Sequence, residues 1–141
     1  MDRLEVLERV KKRKETIGLT LDNISKLSYL GNRTVARFFS GEDVKLSTLE
    51  KITNIMGLDF AGNELVDVET LRDTRAKEKA LYIVSLVQDT SALEMQGLAK
   101  EAIQSLIQDT KEQFLTGEYR KNLWKDTGDY SDLIEMQSNI L

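Results

Sequence analysis

The chain has 141 residues, a net charge of −4, 40% hydrophobic and 31% charged residues, and no Cys, His or Pro. That length suits one domain or two small ones, and the composition excludes full disorder. Without Cys or His there is no thiol nucleophile, disulfide, Cys/His zinc site or histidine general base, and the missing Pro points to a mostly helical chain.

The opening MDRLEVLERVKKRKE lacks the apolar stretch of a signal peptide. The longest apolar run, Ala80 to Val87, is interrupted by Ser85 and falls far short of the ~18 residues of a membrane span. A cytoplasmic location with no membrane partner is therefore expected. Leu4, Leu7, Val10 and Ile17 recur at helical spacing, with Arg9, Lys11, Lys12, Arg13 and Lys14 between them. They predict an amphipathic helix ending before Gly18. Thr20 suits the cap of a short second helix with Leu21, Ile24 and Leu27. Tyr29-Leu30-Gly31-Asn32 is a break, and a third helix with Val35 and Phe38 inward should stop at Gly41. Ser47-Thr48-Leu49-Glu50 reads as a capping box opening a fourth helix that ends at Gly57.

Residues 58–67 read as a linker. A longer helix at about 69–89 follows, charged in its first half and apolar on all sides in its second. Ser91-Ala92-Leu93-Glu94 suggests another capping box and a short helix ending at Gly97. Leu98, Ala102, Ile103, Leu106, Ile107, Thr110 and Phe114 mark an amphipathic helix at about 99–116. Residues 118–125 look helical, and the acidic tail 126–141 has room for one short helix. The expected fold is all-α. A four- to five-helix helix-turn-helix domain occupies 1–66, a helical dimerisation or partner-binding region 67–125, and the tail 126–141.

Charge is uneven along this chain. Residues 1–41 carry nine Lys/Arg against five Asp/Glu, whereas 61–141 carry nine against fifteen. A basic first quarter in an acidic chain fits a local anion-binding face. Leu19 to Gly41 has two short helices across a turn, the pattern whose second helix enters the DNA major groove. Ile24 and Leu27 should pack on Val35 and Phe38, and Ser25 is small enough for a close helix crossing. Asn32, Arg33 and, one turn later, Arg37 are then exposed. Arg pairs bidentately with guanine and Asn with adenine.

Over about residues 4–60 the chain resembles the Cro/phage-repressor (XRE-type) helix-turn-helix family. The resemblance rests on RVKKRKETIGLT before the motif, ISKLSYLGNRTVARFFSG within it and KLSTLEKITNIMGLD after it. It implies base contacts at Asn32, Arg33 and Arg37, and phosphate contacts near Lys14, Thr20, Thr34 and Ser40. Leu21 stands where the family often has a Gln, and Tyr29-Leu30 where its turn usually carries Gly-Val.

The C-terminal region has no metal-ligand spacing and no phosphate-binding loop. Its apolar helices need cover, and Leu81, Val84, Val87, Ile103, Leu106 and Trp124 are the candidate dimer or partner interface. The functional expectation is a sequence-specific DNA-binding regulator, an autoregulatory repressor on a palindromic operator as a homodimer. The alternative is an antitoxin-like component that neutralises a protein partner, such as a toxin, through its C-terminal helices. Neither reading needs a cofactor or metal, and an enzyme is not expected.

Overall fold

The computed structural model describes residues 2–91 and 100–125, without the side chains of 87–91. The fold is all-α. Its helices are α1 (Arg3–Ile17), α2 (Leu21–Ser28), α3 (Asn32–Phe39), α4 (Leu46–Ile55), α5 (Val68–Ser91) and α6 (Lys100–Leu115), with a 3-10 turn at Arg120–Asn122. No described helix is long and apolar enough to cross a membrane. The chain divides into two compact units between Leu71 and Arg72, so the first extends beyond the expected boundary at residue 66.

In the first unit, α3 packs on α2, α4 lies against α2, and α1 contacts α3. Leu7, Val10 and Ile17 of α1 are buried, as are Ile24, Val35, Phe38, Ile52 and Met56 of the chain that follows. Each fully buried side chain of this kind contributes about 1.5–3 kcal/mol. Capping defines the first two helix starts. Asp2 accepts the Glu5 N–H at 2.9 Å. Thr20 and Asn23 form a reciprocal capping box, both bonds 3.0 Å. The capping box expected at Ser47 does not form. α4 begins two residues earlier, with Lys45 at the cap and no side-chain cap bond.

Residues 58–67 are not a linker. They form a tight return loop, with an antiparallel bridge between Leu58 and Glu64. The Asp59 carboxylate accepts the Ala61 and Asn63 N–H groups at 2.9 and 2.8 Å. The Gly57 carbonyl accepts from both Leu65 and Val66. Gly57 has φ +70°, and a Cβ there would lie 3.1 Å from Val66 Cβ and 3.3 Å from Arg13 Nη2. Only glycine fits both the dihedral and the space.

Arg13 explains why the loop closes here. Its spacing from Val10 and Ile17 puts it on the apolar stripe of α1, and it is only 8% exposed. Its Nε donates to the Met56 carbonyl at 2.9 Å, Nη2 to the Val66 carbonyl at 2.5 Å and Nη1 to the Glu64 carboxylate at 2.5 Å. One turn earlier, Arg9 Nη1 donates to Asn63 Oδ1 at 2.9 Å. Two of the basic residues between the apolar positions of α1 therefore bond within the unit, Arg13 buried and Arg9 at its surface.

In the second unit, Ala76 and Ile83 of α5, Phe114 of α6, and Tyr119 and Leu123 form a core on which Leu115 and Trp124 pack. Lys79 is buried, donates to the Asn122 carbonyl and lies 5.4 Å from the Phe114 ring centroid. Arg75 donates to the Leu123 and Lys125 carbonyls at 3.0 and 2.7 Å. Asp73 and Lys111 pair at 2.7 Å across α5 and α6. The expected helix at 118–125 is thus only a short turn, held by cations from α5. The expected short helix after Ser91 and the tail 126–141 lie outside the described residues.

Replacing Arg13 with Ala leaves two inward carbonyls without their donor and should cost about 1–3 kcal/mol. Glu64→Gln should cost no more than about 1 kcal/mol, because Glu64 is largely solvated. Equal costs in chemical denaturation would show that the ion pair, not the carbonyl bonds, dominates.

The loop also titrates. The Asn63 backbone N–H is the main cause holding the Asp59 carboxyl below the usual carboxylate range; the Asn63 side chain, Ala61 N–H and Arg9 add to it, against partial desolvation. The Thr70 N–H and hydroxyl, with the Arg13 charge, do the same for Asp67. Both groups have a lower pKa folded than unfolded. Their stabilisation is complete above the ordinary carboxylate range and is lost as pH falls through the depressed values. Melting temperature should therefore fall below about pH 4. The fall should be shallower in an Asp59→Asn/Asp67→Asn double variant, and parallel curves for the two proteins would contradict this origin.

Candidate nucleic-acid interface

The candidate surface is built on α2, a short turn and α3. Ile24 on α2 and Val35 and Phe38 on α3 are buried, and Leu27 is half-buried. The turn is Tyr29 to Gly31, one residue shorter than the expected break, because Asn32 already lies in α3. Ser25 is buried, and its hydroxyl donates to the Leu30 carbonyl at 2.5 Å while Leu30 N–H returns to the Ser25 carbonyl. Its small size admits the crossing, and its hydroxyl also pins the turn.

Asn32 and Arg33 occupy the exposed first turn of α3, and Arg37 follows Arg33 at i+4 on the same side. No acidic residue lies in that first turn, and no side chain caps it. The helix start can therefore receive an anion. Arg37 is not fully available: its Nε lies 3.6 Å from the Glu42 carboxylate just beyond the helix. Thr34 is half-buried. Thr20 Oγ1 is engaged by Asn23, and Ser40 donates its hydroxyl to the Arg37 carbonyl at 2.8 Å. Lys14, half-buried, sits in the last turn of α1.

The basic surplus of the first 41 residues is partly consumed inside the unit. Arg3 donates to the Gly41 carbonyl at 2.6 Å, and Arg9 and Arg13 hold the return loop. Lys11 pairs with Glu8 and Lys26 with Asp22 on exposed surface. Among the described residues, Lys12, Lys14 and Arg33 have no carboxylate within 4.0 Å.

In the second unit the proposed interface set separates. Val84 is 2% exposed, so the same chain already covers it, while Trp124 packs on the internal core and stays half-buried. Val84 is therefore removed from the interface set. Leu81 remains 44% exposed beside the exposed Tyr82. Ile103 and Leu106 are half-buried, and the Val87 side chain lies outside the described residues. The apolar run in α5 is thus inward on one side and open on the other.

Sequence reasoning did not find Ser25 as a hydrogen-bond donor, Glu42 as the partner of Arg37, or the backbone of Tyr29. Comparison with known proteins found no matching family model, no matching curated protein and no matching solved structure.

Tyr29 is the one described non-glycine residue with positive φ, at 58°, and its side chain is 93% exposed. The left-handed conformation costs a residue with a Cβ roughly 1–2 kcal/mol. Gly avoids that cost but gains about 0.5–1 kcal/mol of unfolded-state entropy to lose. Tyr29→Gly should thus raise stability by up to about 1 kcal/mol. A lower melting temperature for this variant would show that the Tyr29 side chain holds the turn.

Proposed function

We propose that this chain is a sequence-specific DNA-binding transcription regulator, acting as a repressor from the cytoplasm. The observation that carries the reading is α3: buried Val35 and Phe38 fix it on α2, while Asn32, Arg33 and Arg37 stand on its exposed side. These side chains have the donor and acceptor sets that read purine edges in the major groove. The uncapped, acid-free start of α3 supports a phosphate contact beside them. The resemblance of residues 4–60 to the XRE-type family supports the same reading.

Lys14 and Lys12 supply sequence-independent attraction in this scheme. Thr20, Thr34 and Ser40 are the remaining phosphate candidates. Thr20 and Ser40 also serve local bonds, so their contribution is to position the backbone. One head makes few base contacts, and a homodimer reading two half-sites about 10 bp apart would double them. The exposed Leu81 and Tyr82 side of α5 is the surface we assign to that pairing.

Selection of bound sequences from random double-stranded DNA, with the full chain, tests the reading. Arg33→Ala and Arg37→Ala should each cost about 1–3 kcal/mol at the selected site and relax one base preference. Lys14→Ala should weaken specific and non-specific DNA alike and lower the salt slope by about one counterion. Unchanged binding in both arginine variants would remove α3 from the interface.

A further inference from the structure

A cavity of about 400 Å³ opens in the first unit between the start of α1, the α3–α4 connection, the start of α4 and the return loop. Small-molecule sites span roughly 300–1,000 Å³, so the space admits a compact ligand. Leu7 and Phe38 are buried beneath it, Val6 and Leu49 are half-buried in its wall, and Leu46 and Phe60 stand at 60% and 59% exposure. Among the described residues the lining also holds three carboxylates, Asp2, Glu42 and Asp43, against one cation, Arg3, which already donates to the Gly41 carbonyl.

That charge pattern selects among occupants. Twofold pairing of two chains through this face would bring the same net-negative lining from both copies into one interface, and like charges across an interface are costly. An anionic ligand meets the same repulsion. We propose that the cavity binds a small apolar cation: a primary ammonium group carried by a single aromatic ring or a short alkyl chain. The ammonium lies at Glu42 and Asp43, and the apolar part occupies the space lined by Phe38, Leu49 and Phe60.

The site has a consequence for α3. Glu42 both lines the cavity and holds Arg37 at 3.6 Å. A bound cation competes for Glu42 and releases Arg37 toward solvent. This regulatory step rests on the DNA-binding reading above, and in it the ligand raises affinity for DNA. An exposed ion pair of this kind is worth a change of about two- to fivefold.

The experiment titrates the full chain with 2-phenylethylammonium, 2-phenylethanol and 3-phenylpropanoate, followed by amide NMR shifts. Saturable ammonium binding is expected, with shifts gathered at residues 2–7, 38–49 and 60–61. The alcohol and the acid should bind about fivefold more weakly or worse. Glu42→Gln with Asp43→Asn should remove that preference, and Phe60→Ala, at an exposed position, should weaken all binding without unfolding the unit. Equal binding of the three probes, or shifts elsewhere, overturns the proposal. So do concentration-dependent shifts at the same amides without a probe, which would make a second copy the occupant. In the DNA arm, the ammonium should tighten wild-type binding to the selected site, and Glu42→Gln should be tighter without it. Unchanged affinity in both overturns the coupling to Arg37. If no selected DNA binds, the DNA-binding reading fails, and the ammonium titration decides the cavity independently.

Discussion

A guanidinium inside a protein must have acceptors for its donors, because an unpaired buried charge is among the costliest defects in a fold. Arg13 meets that demand with two carbonyls and one carboxylate, all supplied by residues 56–66. Much of the first unit follows from it. The chain after α4 must turn back at once, so Gly57 takes a left-handed conformation and presents its carbonyl to Leu65 and Val66. Leu58 is drawn into the core, and Asp59 organises the turn that brings Glu64 and Val66 to the guanidinium. A segment with linker composition thereby becomes a wall of the domain.

The same bonding separates two uses of positive charge. Arg13 completes the inside of the unit, where several planar donors are needed in a fixed arrangement, while the exposed Arg3 and Arg9 tie loop groups down at its surface. The lysines of α1 stay at the surface. On α3, Arg33 is exposed with no carboxylate at hand among the described residues, and Arg37 is held at the helix end by Glu42. Surface potential at this face therefore depends on fewer cations than a residue count indicates, and one of them is in competition.

Short helices need their ends and turn defined by specific bonds, since eight residues contribute little helical stability alone. The Thr20–Asn23 box and the Ser25 hydroxyl do this for α2 and the turn. α3 depends on its burial instead: Val35 and Phe38 anchor it while its start remains uncapped. In the second unit the cations of α5 play the reverse role. Lys79 and Arg75 hold the carbonyls of residues 122–125, so a segment too short to form a helix still closes over Phe114.

How far this was legible in the sequence follows from the range of each interaction. Periodicity located α1 to α4 and the inner faces of α2 and α3, because apolar spacing and capping act within a few residues. It placed Asn32, Arg33 and Arg37 on the outside for the same reason. Arg13 reads with the basic residues between the apolar positions of α1, although its spacing from Val10 and Ile17 is also that of an inward position. Its acceptors lie more than forty residues away, and no local pattern reveals them. Likewise, an apolar run in α5 shows that burial is needed without showing which side the same chain covers. Helix type in the first unit, the ends of α1 and α2 and the exposed chemistry of α3 were thus determined by sequence alone. The return loop, the engagement of Arg37 by Glu42, and the covering of Val84 were decided by tertiary structure, because each depends on which distant groups arrive at hydrogen-bonding or packing distance.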